Sequence, residues 1–499
     1  MSNNFKELTK NTSILGLARI VEFIVGLLKI KLCAVILGAT GIGIFNQLNF
    51  LSNKMSTFTL LSTGEALVKQ IAESIDAENS NKLLLAALKS YILLVTVFMI
   101  ASLAVLYALS ETITLYVFGD IKYFQVFLVA VVSLPLLIVN SIPYSIMRAM
   151  KDIKTIAISR VVSVIINILH TLPLIYFWSL EGAVVSVFLS HLVSLFINVL
   201  YAKKLYFSRF NITFLSIIKA DLLDKYVKEL IRFSGFGLSI GLYVIVSEFV
   251  CRAIVVSYLG VDAIGLYSPI IMWSSLFTGF LIPALTTYLY SSLCQTKKNS
   301  EISNLLNDGL RLATLGLLPL LFLAIPFREF IITLFYSLEF IAVEKYLPYH
   351  FIGVVFQVWF SVLSSSMTST GRIKQHGVFR FLFLSLDILI TYVCVIQWGL
   401  YGWMLKHIIS PVIFYFVYVF YCKKNMGLNF CNNNIAVMLY LFYGSLFLIL
   451  VDEIVTFGYI ANYFIGPLML LCSVFFLRDF EKDALLFRAN NVINRIKRN

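Results

Sequence analysis

The feature that most restricts this chain is a succession of apolar runs, each about 20 residues long, the length a helix needs to cross the hydrocarbon core of a bilayer. Fourteen can be placed, near 12–37, 42–66, 83–109, 123–146, 155–178, 181–203, 230–258, 263–290, 305–326, 346–369, 377–398, 401–421, 434–451 and 456–477. Inside a bilayer every backbone polar group must be satisfied locally, so single runs of this length predict helices. Of 499 residues, 60% are hydrophobic and 13% charged. A soluble domain carries roughly twice that charged fraction. The expected class is an all-α polytopic membrane protein. The polar start MSNNFKELTKN, followed by a run holding Arg19 and Glu22, does not read as a cleavable signal peptide.

A net charge of +13 invites a nucleic-acid reading, but the positions of the basic residues argue against it. With the N-terminus in the cytoplasm, nearly all Lys and Arg outside the spans fall in inner segments. The outer loops keep only Lys122, Arg328 and Lys345. That asymmetry predicts both termini on the cytoplasmic side and fits an even number of spans. The seven cysteines are scattered, mostly in apolar runs, and form no CxxC pair, so neither a metal site nor a disulfide framework is expected.

The chain also repeats itself. LGATGIGIF at 37–45 recurs as LGVDAIGLY at 259–267, 222 positions on. A second match has an offset of 220: Met147/Met367, Ile153/Ile373, Lys154/Lys374, Arg160/Arg380, Trp178/Trp398, Leu180/Leu400, Gly182/Gly402 and Ser190/Ser410 are identical. Predicted helices 1–6 and 7–12 therefore read as two copies of one unit. Six is even, so the copies enter the membrane in the same direction. That is the parallel-repeat plan of transporters, in which two like bundles enclose a central cavity. The predicted divisions are an N-terminal six-helix bundle at 1–205, a basic cytoplasmic linker at 206–229, a second bundle at 230–425, and two further helices with a basic tail at 426–499. Gly38 and Gly260 suit helix C-caps of positive φ, and Gly43 and Gly265 allow close packing at the turn.

Polar residues inside spans mark candidate function, because charge there is costly. The second predicted helix places Asn46, Asn49, Asn53, Ser56, Thr57 and Gly64 on one stripe with Lys54 beside it. The first puts Arg19, Glu22, Gly26 and Lys29 on one face. Glu248 and Arg252 stand four apart on the seventh, as a structural ion pair would. Arg19 and Glu22 are also placed to neutralise each other. Lys31 and Lys89 lie near span ends and are expected to snorkel to the interface. His170, His191 and His407 read as packing histidines. Asp387 stands as a lone mid-span acid. Arg19, Lys29, Lys54 and Arg252 outnumber Glu22 and Glu248, so the polar interior is cationic and suits an anionic substrate such as a diphosphate head group. A drug-cation exporter of the same fold is expected to show the opposite sign.

No GxxxxGK[ST], HExxH, GxSxG or acidic metal cluster occurs. No outer loop exceeds roughly 20 residues, short for a membrane glycosyltransferase or polymerase. The expectation is a transporter rather than an enzyme, with no cofactor. The Ser-rich SSSMTST at 364–370 reads as close helix packing.

KNTSILGLARIVEFIVGLLKIKLCAVILGATGIGIFNQL resembles the opening of the O-antigen and polysaccharide flippases, the Wzx-type members of the multidrug/oligosaccharidyl-lipid/polysaccharide exporter superfamily. VIVSEFVCRAIVVSYLGVDAIGLYSPI is similar to the start of their second half. The likeness covers about residues 8–425 and implies a MATE-like fold. It also implies movement of undecaprenyl-diphosphate-linked oligosaccharide from the cytoplasmic to the outer leaflet of a bacterial inner membrane. Such a flippase works by alternating access and is driven by an ion gradient or the membrane potential. It would act beside a polysaccharide polymerase and a chain-length regulator, and not on nucleic acid. The family commonly has twelve helices, so the two after 433 depart from it. In the related lipid II flippases extra helices form a groove for the lipid tail, which keeps lipid II as an alternative substrate. Basic residues in helices 1 and 2 of those relatives contact the diphosphate. Arg19 and Lys54 sit in comparable places, with Lys29 and Arg252 as further phosphate ligands. Asn46, Asn49 and Asn53 would line the sugar path, and Glu22, Glu248 and Asp387 are the candidate ion couplers. A non-transporting scaffold remains a rival that charge removal at Arg19 or Lys54 would leave untouched.

Overall fold

The computed structural model describes residues 3–60, 63–75, 79–296, 298–454 and 458–478. Helices account for nearly all of them. Among the described residues eight helical stretches are long and apolar enough to cross a membrane. Two of these, Ile153–Phe207 and Ile373–Met426, run to 55 and 54 residues, about twice a single crossing. Each is broken inside by one residue of positive φ: Ser179 (φ 46°) in the first and Gly399 (φ 58°) in the second. Asn3–Leu60 breaks likewise at Gly38 (φ 63°). Among the described residues helices cover the apolar runs, and the chain is a polytopic α-helical membrane protein.

The breaks are reversals rather than bends. In a straight helix residues 174 and 182 would lie about 12 Å apart along the axis. Here a Cβ on Gly182 would sit 1.9 Å from the Leu174 carbonyl oxygen. The chain has doubled back at Ser179, making a helical hairpin without a loop. The second copy repeats this, with Gly402 against the Cys394 carbonyl at 1.8 Å. Tyr176, Phe177 and Trp178 are exposed around one reversal, as are Trp398 and Tyr401 around the other. Amphipathic rings of this kind gather at the membrane interface.

Contacts divide the chain into two compact units, Met1–Ser268 with Leu334–Glu339, and Pro269–Thr333 with Phe340–Asn499. The first unit is cored by Leu84, Leu88, Tyr91, Phe118, Phe127, Leu134 and Met147. Polar contacts tie its helices together: the Tyr91 hydroxyl meets Ser141 Oγ at 2.6 Å, and nearer the surface Arg148 grips Glu65 through both nitrogens at 2.9 and 3.0 Å. The outward rows are apolar, with Ile20, Ile24 and Leu28 exposed four residues apart on one helix. Water would not tolerate so large an apolar face, whereas lipid requires it.

The basic linker is folded onto the first unit. Thr213 and Ser216 form a reciprocal cap for Phe214–Lys219. Lys89 closes the other end of that helix by donating to the Ile218 and Ala220 carbonyls at 2.7 and 2.6 Å. It is therefore spent as a cap and does not merely snorkel. Lys31 likewise donates to the Tyr336 carbonyl at 2.6 Å. Burial alone would raise the Asp152 carboxyl, but hydrogen bonds from Thr155 and Tyr206 outweigh it and hold the group below its ordinary value.

In the second unit the last two helices, Asn432–Ile454 and Gly458–Cys472, dock on Asn299–Ala324. Asn434 Nδ2 donates to the Asn307 carbonyl at 2.9 Å. Arg311, fully buried, donates to the Phe476 carbonyl at 2.5 Å. Arg311 is thus a clamp in the core. Asp452 pairs with Arg328, and Glu453 accepts from the Tyr349 hydroxyl, so the acidic turn is fully engaged.

Candidate functional site

The repeated nine-residue motif is the first feature that positions the site. A Cβ on Gly265 would lie 1.8 Å from the Ala39 carbonyl oxygen, and one on Gly43 would lie 2.2 Å from the Val261 carbonyl oxygen. Residues 39 and 43 in one copy correspond to 261 and 265 in the other. The two motifs therefore cross backbone to backbone and reciprocally, each glycine under the other's carbonyl. Gly38 (φ 63°) and Gly260 (φ 81°) make the turns that lead into the crossing, a conformation that side chains on L-residues disfavour. This brings helix 39–60 beside Asp224–Leu259.

Between these two helices lies a cluster of charge and aromatic surface. Lys54 Nζ meets Glu248 Oε2 at 2.5 Å, with 28% and 41% of the side chains accessible. Arg252 Nη1 donates to Gln47 Oε1 at 2.7 Å. The Phe50 ring serves both cations: Arg252 Cζ lies 4.1 Å from its centroid and Lys54 Nζ 5.8 Å. A ring face attracts a cation through its quadrupole, so Phe50 holds two like charges near each other. Gln47 is buried, and its Nε2 donates to the Val117 carbonyl at 2.8 Å. That bond fixes the amide so that its oxygen faces Arg252.

The structure thus gathers Lys54, Arg252 and Glu248 from the residues singled out by sequence, and re-pairs them. Glu248 takes Lys54, not Arg252 one turn away, and Arg252 turns to Gln47. Lys29, on the arm before the Gly38 break, stands 4.9 Å from the Phe45 centroid. Arg19 is exposed and Glu22 half-buried. Among the described residues neither makes an ion pair, so they do not neutralise each other. The asparagine stripe forms a ladder: Asn49 donates to the Phe45 carbonyl, Asn53 to Asn49 and Thr57 to Asn53, at 2.8, 2.7 and 2.8 Å. Asn46 is half-buried and Asn53 exposed, while Ser56 turns into the core. Gln47 was missed because it lies off that stripe.

In the second unit Asp387 is not a lone acid. Its Oδ2 meets Lys406 Nζ at 2.8 Å, and both side chains are 13% accessible. His407 Nδ1 bonds the Trp403 carbonyl at 2.8 Å, and its ring lies tilted against that of His350, with centroids 4.9 Å apart. An apolar cavity of about 510 Å³ opens among Phe356, Trp359, Tyr415, Phe416, Phe442 and Tyr443. Among the described residues no group of three or more His, Cys, Asp or Glu could hold a metal.

A polytopic helical protein with mid-span cations and internally repeated helix hairpins has the architecture of a membrane transporter. The chain belongs to the family described as polysaccharide biosynthesis protein, which matches residues 8–297. Among solved structures it is similar to a MATE-family multidrug transporter of the MOP superfamily in its inward-facing conformation. That match has a TM-score of 0.69 at 13% identity, over 81% of this chain and 94% of that one. It is similar also to the lipid II flippase MurJ in an inward closed conformation, with a TM-score of 0.67 at 18% identity, over 93% and 98%. A MOP-superfamily transporter from Pyrococcus furiosus Vc1, described as having a binding pocket of reverse polarity, matches at 0.56 and 12%, over 84% and 93%. No curated protein sequence matches. The chain shares its fold with these transporters, and the family match agrees with the resemblance to polysaccharide flippases read from the sequence.

Proposed function

We propose that the protein flips undecaprenyl-diphosphate-linked oligosaccharide from the cytoplasmic to the outer leaflet of a bacterial inner membrane, by alternating access. The observation that carries this reading is the cluster of Lys54 and Arg252 around Phe50. Two cations stand there beside one carboxylate, and the Lys54–Glu248 pair is partly accessible, at 28% and 41%. An exposed ion pair is worth about 0–1 kcal/mol, so an incoming diphosphate can displace Glu248 from Lys54 at small cost. Bound phosphate gains charge-assisted hydrogen bonds from both cations. Arg19 and Lys29 extend the positive surface along the first helix. Asn46, Asn49 and Asn53 offer amides to sugars.

The aromatic cavity of the second unit suits an isoprenoid tail. The excess of positive charge disfavours a cation-coupled drug exporter. Lipid II is the second reading, favoured by the greater share of the chain that matches MurJ. The last two helices are the stretch expected to account for that excess. Transport draws on an ion gradient or the membrane potential, with Glu22, Glu248 and Asp387 as coupling groups, and both termini lie in the cytoplasm. A polymerase and a chain-length regulator take the product.

Complementation tests the reading. The gene is deleted and restored as wild type, Lys54→Ala or Arg19→Ala at equal protein level, and surface polysaccharide is measured. Wild type is expected to restore it, and the variants to lose it. Unchanged polysaccharide in the deletion strain, with redundant flippases removed, would sink the substrate assignment.

A further inference from the structure

A second cavity in the second unit has a different chemistry. It measures about 490 Å³, within the range of small-ligand sites of roughly 300–1,000 Å³. Ser361, Ser364, Ser365 and Thr368 line one wall. Their spacing of three, four and seven residues puts them on one helix face. Thr286 and Tyr290, four apart on Ser268–Cys294, line the other. His376 is the one imidazole among the lining residues, and none of them carries a carboxylate, an ammonium or a guanidinium.

The protons of these hydroxyls are already committed. Ser361 donates to the Gln357 carbonyl at 2.7 Å, Ser364 to Ser361 at 3.1 Å, Ser365 to Val362 at 2.7 Å and Thr368 to Ser365 at 2.9 Å. Thr286 donates to Ile282 at 2.7 Å. A hydroxyl has one proton and two lone pairs. Each of these oxygens therefore faces the cavity as an acceptor. A wall of neutral acceptors repels phosphate, which brings acceptors of its own, and suits a ligand rich in hydroxyl donors. Tyr290 is 50% exposed and offers a ring face with a polar tip. Ser366, in the same run, is buried and donates to Leu363 at 2.6 Å. The Ser-rich stretch thus packs through Ser366 and Met367 and lines a cavity with Ser364, Ser365 and Thr368.

We propose that this hydroxyl-lined cavity binds the saccharide of the lipid-linked substrate, as a neutral polyhydroxyl ligand; the proposal rests on the flippase reading above.

The test is native mass spectrometry of the full chain in detergent, wild type against the isosteric double variant Thr286→Val/Thr368→Val. The two probes are undecaprenyl diphosphate and the diphosphate-linked saccharide fraction extracted from the host's membranes. Wild type is expected to prefer the saccharide-bearing lipid. The variant is expected to lose about tenfold of that preference, the scale of one or two neutral hydrogen bonds, with undecaprenyl diphosphate bound as before. Equal preference in wild type and variant would mean a hydrated wall only and overturn the proposal. So would an equal weakening of both probes, which would assign the cavity to the lipid or to folding. Wild type that binds neither probe would remove the flippase reading itself, a separate failure.

Discussion

Two lysine–carboxylate pairs, Lys54–Glu248 in the first unit and Lys406–Asp387 in the second, differ in kind. Lys54–Glu248 joins distant parts of the first unit and stands 28% and 41% open. Lys406–Asp387 joins the two arms of one hairpin and is 13% open on both sides. An open pair exchanges partners readily, while a closed pair is costly to break because a stranded charge has no water. The repeat sharpens the contrast. Asp387 and Lys406 occupy the positions of Asn167 and Ser186 in the first copy, and Lys54 occupies that of Leu276 in the second. Backbone devices were duplicated, whereas the charges of these two pairs were not. The first unit carries an exchangeable charge, and the second a fixed one.

The largest expected effect breaks the closed pair. Lys406→Ala takes the cation from the closed Asp387 carboxylate and is expected to cost about 3–5 kcal/mol in detergent unfolding. Lys54→Ala is expected to cost no more than about 1 kcal/mol. Lys406→Met with Asp387→Leu is expected to recover most of the loss, and a double variant as unstable as the single would contradict the assignment. Next in size is an exchange across the repeat. Ser179 and Gly399 share one left-handed conformation, which costs a non-glycine residue about 1–2 kcal/mol. Ser179→Gly is therefore expected to raise the melting temperature and Gly399→Ser to lower it; shifts of the same sign would show the reversals to be unlike. The smallest effect is that of salt. Raising ionic strength screens exposed charges, so removing Lys54 is expected to matter less at high salt, with a change of a few tenths of a kcal/mol. The penalty for Lys406→Ala is expected to stay constant.

The helices were legible because lipid imposes one length and one apolar pattern on each. The two glycine motifs announced both their turns and their close approach. Ser179 gave no such notice: a reversal that the second copy marks with glycine is marked here by a residue that favours other conformations. Partner choice was the other hidden quantity. Glu248 and Arg252 look paired because an i,i+4 spacing is visible within one helix, whereas the true partners, Lys54 and Gln47, come from another helix some 200 residues away. The Asp387–Lys406 pair had a signal in the repeat alignment: two positions neutral in one copy become opposite charges in the other. The cavity around Ser361 and Thr368 had only the face spacing, which close packing also produces.

The reciprocal glycine crossing has a genetic consequence. When a mutation enlarges a side chain in an ordinary core, a second mutation that shrinks its neighbour can restore the fit. At Gly43 and Gly265 the obstructing atoms are the main-chain oxygens of Val261 and Ala39, which every amino acid possesses. No replacement at 261 or 39 can make room. Lesions at either glycine are therefore expected to have no intragenic suppressor at the contact, and the motif is closed to compensatory drift from both sides.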